Sequence, residues 1–272
     1  MLGKKATTIK PVRRSAVPET GFNQFLNAGD RLLVQRQVEG FQGMKFGEKI
    51  IEGIFLKRPN RYLAHVEVGG AEVLAHVPDP GRLPGLMLVG RKVRLVYQPS
   101  AKRKTDYTLV LVRHGSVWVS VFPIFANALV KDALVKGTLP FLQGYTDFAS
   151  EVKMGKSRFD FKLGFRINPA FVEVKSVSLV KEGLGKFPDA PTERGVKHVR
   201  ELMDLCLKGY RAAILFVSQR SDTCSITCND EIDPVFGEWL RKANGEGVEL
   251  YGMNCKVTPS TISLNQEVAV VL

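Results

Sequence analysis

Ser157-Arg158-Phe159-Asp160-Phe161 and Val172-Glu173-Val174-Lys175-Ser176 are two strand-like runs in which charge interrupts otherwise apolar sequence. Alternate residues of a strand share a face, so Glu173 and Lys175 point the same way. Asp160 sits mid-run between two phenylalanines, and on an adjacent strand it can converge with that pair. Two carboxylates make a hard oxygen site suited to Mg2+ or Mn2+. A lysine beside them can orient or deprotonate a water and steady charge developing on a phosphoryl group. Charge among apolar neighbours costs stability unless it is paired or liganded. A buried Glu173–Lys175 ion pair and a solvated strand face are therefore the competing readings of the same residues.

The surroundings set these runs in an α/β domain. A helix is expected over 124–136, with Ile124, Ala128, Leu129, Ala133 and Leu134 along one stripe. Strands are expected over 148–154, 158–165 and 170–179, the first two joined tightly by Gly155-Lys156-Ser157. A second helix is read over 192–207, capped by Thr192 after Pro191, with Val196, Val199, Leu202, Met203 and Leu207 on its apolar side. The solid apolar run 212–217 suits a strand buried on both faces. A helix at 234–244 and a strand at 248–257 complete the order: helix, three strands, helix, strand, helix, strand. Arg194, His198 and Glu201 lie at helical spacing; they either approach the strand site or form an ordinary charged helix face.

Upstream, 50–121 reads as short strands. Runs 62–68 and 72–77 alternate with period two around Gly69-Gly70, a hairpin signal. Strands at 92–97, 107–113 and 117–121 follow. About five strands in so short a stretch suggest a small OB-type barrel, an architecture that often binds oligonucleotides. The formal charge of +12 is uneven: Lys/Arg minus Asp/Glu is +4 over 1–43, +7 over 44–121 and +1 over 122–272. A concentrated basic excess suits a polyanion, DNA or RNA, because neutralised phosphates release condensed counterions. Lys102, Arg103 and Lys104, in a loop, are candidate phosphate contacts, as are Arg58 and Arg61 beside Pro59-Asn60 and Arg82 in the Asp79-Pro80-Gly81-Arg82 turn. Tyr62, Tyr97 and Tyr107 are either base-stacking or packing aromatics.

Asp160 with Glu173-Val174-Lys175 resembles the PD-(D/E)xK nuclease superfamily. More specifically, the chain resembles the sugar fermentation stimulation protein A family, through 57–63 (Lys-Arg-Pro-Asn-Arg-Tyr-Leu), 77–83 (Val-Pro-Asp-Pro-Gly-Arg-Leu), Ser150-Glu151-Val152-Lys153, 157–163, 172–179 and 187–202. The last stretch includes Pro188-Asp189-Ala190 and Thr192-Glu193-Arg194-Gly195. The resemblance runs over 44–272. It implies an OB-like domain at 44–121 followed by a restriction-endonuclease-like α/β domain with a mixed central sheet at 122–272. It also implies Asp160 and Glu173 as ligands of Mg2+ or Mn2+, Lys175 as catalytic lysine, Glu151 as a third acidic contributor, and DNA as partner. Metal-dependent phosphodiester cleavage and non-cleaving transcriptional regulation of sugar metabolism are the two functions it leaves open.

Residues 1–43 fall outside that pattern. They are a mis-called start, an organelle-targeting segment or a basic arm, with one short helix expected over 22–38. No apolar run approaches the ~20 residues of a membrane span. Cys206, Cys224, Cys228 and Cys255 are too sparse for a disulfide scaffold and lack a zinc spacing, so reduced thiols in a cytoplasmic protein are expected. No Walker-type loop or dinucleotide fingerprint is present.

Overall fold

The computed structural model describes residues 43–272. Residues 1–42, and with them the helix read over 22–38, lie outside the described residues. The first strands are β1 (Met44–Lys45), β2 (Ile50–Asn60), β3 (Leu63–Val68), β4 (Ala71–His76), β5 (Lys92–Tyr97), β6 (Tyr107–His114) and β7 (Val117–Ser120). They run in the order β4-β3-β2-β5-β6-β7, and a further parallel pairing of β4 with β6 closes the five strands β2–β6 into a barrel. Gly69 and Gly70 both take positive φ, 59° and 85°, as the β3–β4 hairpin turn requires. Phe55, Val66, Val93, Leu95, Leu109 and Val112 fill the interior. Gly53 in β2 lies so close to β3 that a Cβ there would come within 2.8 Å of the Glu67 carbonyl oxygen.

The second half contains α1 (Ile124–Lys136), β8 (Asp147–Met154), β9 (Ser157–Gly164), β10 (Ala170–Val177), β11 (Val180–Lys181), β12 (Leu184–Phe187), α2 (Glu193–Leu207), β13 (Arg211–Ser218), β14 (Ser225–Cys228), α3 (Pro234–Gly245), β15 (Glu249–Val257) and β16 (Thr261–Val271). The sheet order is β11-β12-β14-β16-β15-β13-β10-β9-β8. Strands β10, β13 and β15 are parallel, whereas β8–β9–β10 and β15–β16 are antiparallel, so the sheet is mixed. Strand β13 is buried almost end to end, as its apolar run predicts. Thr192 Oγ1 accepts from Gly195 N–H at 3.0 Å and caps α2. Asp233 caps α3 through Phe236 N–H, and its second oxygen accepts from Thr192 N–H at 2.8 Å, tying the two helix starts together.

Helix α1 covers one face of the sheet; α2 and α3 cover the other. Ile124 and Leu207, expected on apolar stripes, are largely exposed because each lies at a helix end beyond the sheet's reach. The barrel does not hang free. Phe46, Val96, Val110, Leu111 and Trp118 pack into the same core as α1 and its sheet face. Strand β1 pairs with β16, Met44 opposite Ile262. Arg220, 1% exposed, donates to Ser178 O, hydrogen-bonds His114 Nδ1 and pairs with Asp222, linking the sheet to the end of β6.

Candidate functional site

Strands β9 and β10 pair through Ala170–Leu163, Phe171–Lys162 and Val172–Phe161. Continuing that register sets Glu173 opposite Asp160, at the point where the ladder ends. There Val174 N–H donates to Asp160 Oδ2 at 2.7 Å, and Asn127 Nδ2 on α1 donates to Oδ1 at 2.6 Å. Both Asp160 oxygens are thus oriented by the protein. Burial and the neighbouring Glu173 charge nevertheless push this carboxyl up to about 6, against the pull of Val174, Asn127 and Lys175.

Glu173 is 4% exposed. Its Oε1 accepts from Lys175 Nζ at 2.7 Å and is hydrogen-bonded to His198 Nδ1 on α2. Burial alone would raise this carboxyl, but His198 and Lys175 together outweigh it and hold Glu173 below its ordinary value. Its Oε2 is buried with no hydrogen-bond partner. An orphaned carboxylate oxygen costs free energy unless something fills the position. Glu173 and Asp160 are the residues that would hold a small hard cation, whose charge would offset their burial and mutual repulsion.

Glu151 behaves differently. It is exposed and its charged neighbour is Arg158, 3.9 Å away. Ser150–Phe161 and Val152–Phe159 flank it in the β8–β9 register, so its position faces Asp160, yet no contact joins it to the Asp160–Glu173 pair among the described residues. Glu151 has φ 55°, the left-handed region that a glutamate adopts at a cost. The hairpin turns over here. Phe161 packs on the α1 side, whereas Phe159, two residues earlier, packs on the α2 side. Among the described residues no group of three His, Cys, Asp or Glu side chains is arranged to hold a metal.

The family model described as "SfsA N-terminal OB domain" matches residues 56–121, and the one described as "Sugar fermentation stimulation protein RE domain" matches 124–261. The chain belongs to the sugar fermentation stimulation protein family. A sugar fermentation stimulation protein homolog of Moorella thermoacetica is 44% identical over 227 residues, covering 82% of this chain and 97% of its own. One from Clostridium perfringens is 40% identical over 230 residues, covering 84% and 100%. A solved structure described as Pyrococcus furiosus SfsA in complex with Ca2+ is 27% identical with a TM-score of 0.76, covering 84% of this chain and 98% of its own. The barrel is accordingly the family's OB domain, and the mixed α/β sheet its second domain.

Within the OB domain the candidate cations divide. Arg58 donates to the carbonyls of Gly81, Arg61 and Asp79 at 2.9, 2.6 and 2.7 Å. It organises two loops rather than facing solvent. Arg103 donates to Gln98 O at 3.1 Å and to Thr108 Oγ1. Lys102 and Lys104 are exposed, as are Arg61 and Tyr62. A groove of about 520 Å3 is lined by Tyr62, His76, Arg103 and Lys104. Tyr97 and Tyr107 instead pack on each other with ring centroids 5.1 Å apart, so their role is packing.

Sequence reasoning missed Asn127. The only cue was one amide beside Ala126 in a helix whose other inward positions are apolar. His198 was legible as one of two alternatives, and its 4% exposure and contact with Glu173 decide between them.

Proposed function

We propose that this chain binds nucleic acid and hydrolyses phosphodiester bonds with a divalent cation held by Asp160 and Glu173. The observation that carries the reading is Glu173 Oε2, buried and unpartnered beside the half-buried Asp160 carboxylate. A relative with bound Ca2+ supports a hard, oxygen-preferring cation; Mg2+ or Mn2+ is the catalytic choice. When bound, that ion supplies positive charge against the phosphoryl oxygens and makes the attacking water more acidic. Asn127 and Val174 N–H fix Asp160, and His198 fixes Glu173. Lys175, 2.7 Å from Glu173, keeps its ammonium where the charge of the reacting phosphate develops. Hydrolysis joins the water oxygen to phosphorus and breaks one P–O ester bond; the water's proton leaves to solvent, the departing oxygen takes one up from solvent, and Lys175 as the ammonium orients the reacting groups. The OB domain holds the strand, through Lys102, Lys104, Arg61, Arg82 and the exposed Tyr62, with Arg103 contributing from the groove wall.

One observation favours a non-cleaving DNA-binding regulator. Glu173 Oε1 is already engaged by both Lys175 and His198, an arrangement a purely structural ion pair would also adopt. Titrating the protein with Mn2+, followed by the loss of the free-ion paramagnetic signal, separates the two. The nuclease reading expects binding that Asp160→Asn weakens. Absence of binding by the wild type gives the regulator the lead.

A further inference from the structure

A groove of about 440 Å3 opens beside His198, between the β8–β9 turn and the start of α2. Residues 122–272 are nearly neutral overall, nineteen Lys/Arg against eighteen Asp/Glu. Around this groove the balance is four to one: Lys156, Arg158, Arg194 and Lys197 against Glu193. Lys197 Nζ is partly committed, to Lys156 O at 3.0 Å and towards Glu201 at 3.9 Å. Arg158 leans on Glu151 at 3.9 Å. Lys156 and Arg194 form no ion pair among the described residues and are exposed.

A second observation points to a ligand. Ser157 lines the same groove, is 5% exposed, and its hydroxyl has no hydrogen-bond partner. A buried hydroxyl without a partner is unfavourable in the free protein. His198 reaches both places at once, with its ring lining the groove and Nδ1 on Glu173. The groove is thus one side chain away from the acidic pair.

We propose that this groove seats a backbone phosphate of a nucleic-acid strand, flanking the phosphate presented to Asp160, Glu173 and Lys175. Lys156 and Arg194 supply its free charge, and Ser157 donates its hydroxyl to a phosphate oxygen. The inference rests on the reading that the chain binds nucleic acid. It adds a contact site in the second domain, distinct from the cations of the barrel.

The test measures affinity of the full chain for a fluorescein-labelled single-stranded DNA oligonucleotide, in chelator, between 50 and 200 mM salt. Each phosphate contact on a single strand contributes roughly 0.7 to the slope of log K against log salt. The variant carrying Lys156→Ala and Arg194→Ala is expected to lose roughly 0.7 from the wild-type slope, the share of one phosphate, and to keep the wild-type melting temperature. Ser157→Ala is expected to bind more weakly while melting no lower than wild type, because its hydroxyl has no partner to lose. If the Lys156/Arg194 variant keeps the wild-type slope while Lys102→Ala with Lys104→Ala reduces it, the groove proposal fails and nucleic-acid binding by the barrel stands. If the wild type binds no oligonucleotide, both fail together.

Discussion

Asp160 is held from two sides by donors, yet its carboxyl is pushed up to about 6 because burial and Glu173 outweigh them. That tension is what a bound cation would relieve, and it makes Asn127 a positioning residue with a measurable effect. Partners that orient a metal ligand typically cost about 10–100-fold in affinity or activity when removed. Asn127→Ala is therefore expected to weaken Mn2+ binding by about that factor in titration calorimetry, with Asp160→Asn weaker still. Equal affinity in Asn127→Ala and wild type would remove Asn127 from the site. At this scale the sequence was most informative where chemistry needs charge in an apolar strand: Asp160, Glu173 and Lys175 stand out from their neighbours. Asn127 could not be read because an amide in a helix signals nothing until the strand it faces is known. Arg58 is the opposite case. Its position beside Pro59-Asn60 suggested phosphate contact, but three of the carbonyls it binds lie in loops far along the chain or across its own turn, and only the fold brings them together.

Elements were legible where periodicity was strong. The helices and the strands of the β8–β10 and β13 regions follow from their apolar patterns. Strands β11 and β12 were hidden because their turn pairs Glu182 with Gly183, φ 52° and 81°, and a glutamate does not advertise a left-handed turn. Strand β16 was hidden by Asn265-Gln266-Glu267 at its centre. There the register with β15 shifts, and Asn254 Oδ1 takes donors from Asn265 Nδ2 and Gln266 N–H. The β8–β9 hairpin keeps its register, but Glu151 in the left-handed region marks where the packing changes face beside Asp160. A left-handed non-glycine residue costs roughly 1–2 kcal/mol, whereas glycine in an ordinary strand is destabilising by roughly 0.5–1 kcal/mol. Glu151→Gly is expected to leave stability unchanged or raise it by up to about 1 kcal/mol in urea unfolding, while Lys153→Gly lowers it. If Glu151→Gly also abolishes Mn2+ binding while Asp160 and Glu173 are intact, Glu151 is the third acidic contributor after all.

The barrel and the α/β sheet share a core, and their loops meet in a second acidic pair. Asp79 is nearly buried. Its Oδ1 accepts from Gly81 N–H at 2.8 Å, and the Asp189 carboxylate lies against Gly81 so closely that no side chain fits there. Arg58 and Arg82 face this pair. Burial lifts Asp79 to about 6, with the Asp189 charge adding to it, and Asp189 is raised by burial as well. The folded protein therefore holds this proton more tightly than the unfolded chain, whose aspartates titrate near ~3.9. Stability from Asp79 is lost as pH rises from about 4 through about 6, and the full penalty applies above that. Asp79→Asn is expected to stabilise the protein by on the order of 3 kcal/mol at pH 7.5, a gain that vanishes near pH 4. Chemical denaturation at both pH values checks it, and a gain of equal size at both would assign the effect to packing instead. None of this was legible beforehand, because Asp79 and Asp189 are separated by more than a hundred residues and meet only across the two domains.

The central claim concerns Asp160, Glu173 and Lys175 acting together on a phosphodiester. Its most direct measurement is the cleavage rate of end-labelled single- and double-stranded DNA and RNA, with Mg2+ or Mn2+ against chelator, by wild type, Asp160→Asn and Lys175→Ala. The account predicts metal-dependent cleavage of at least one substrate by the wild type. Asp160→Asn should fall to background, and Lys175→Ala should be about 10²–10⁴-fold slower while still binding metal. Cleavage that persists undiminished in Asp160→Asn, or a wild type that cleaves none of the four substrates with either metal, would contradict it.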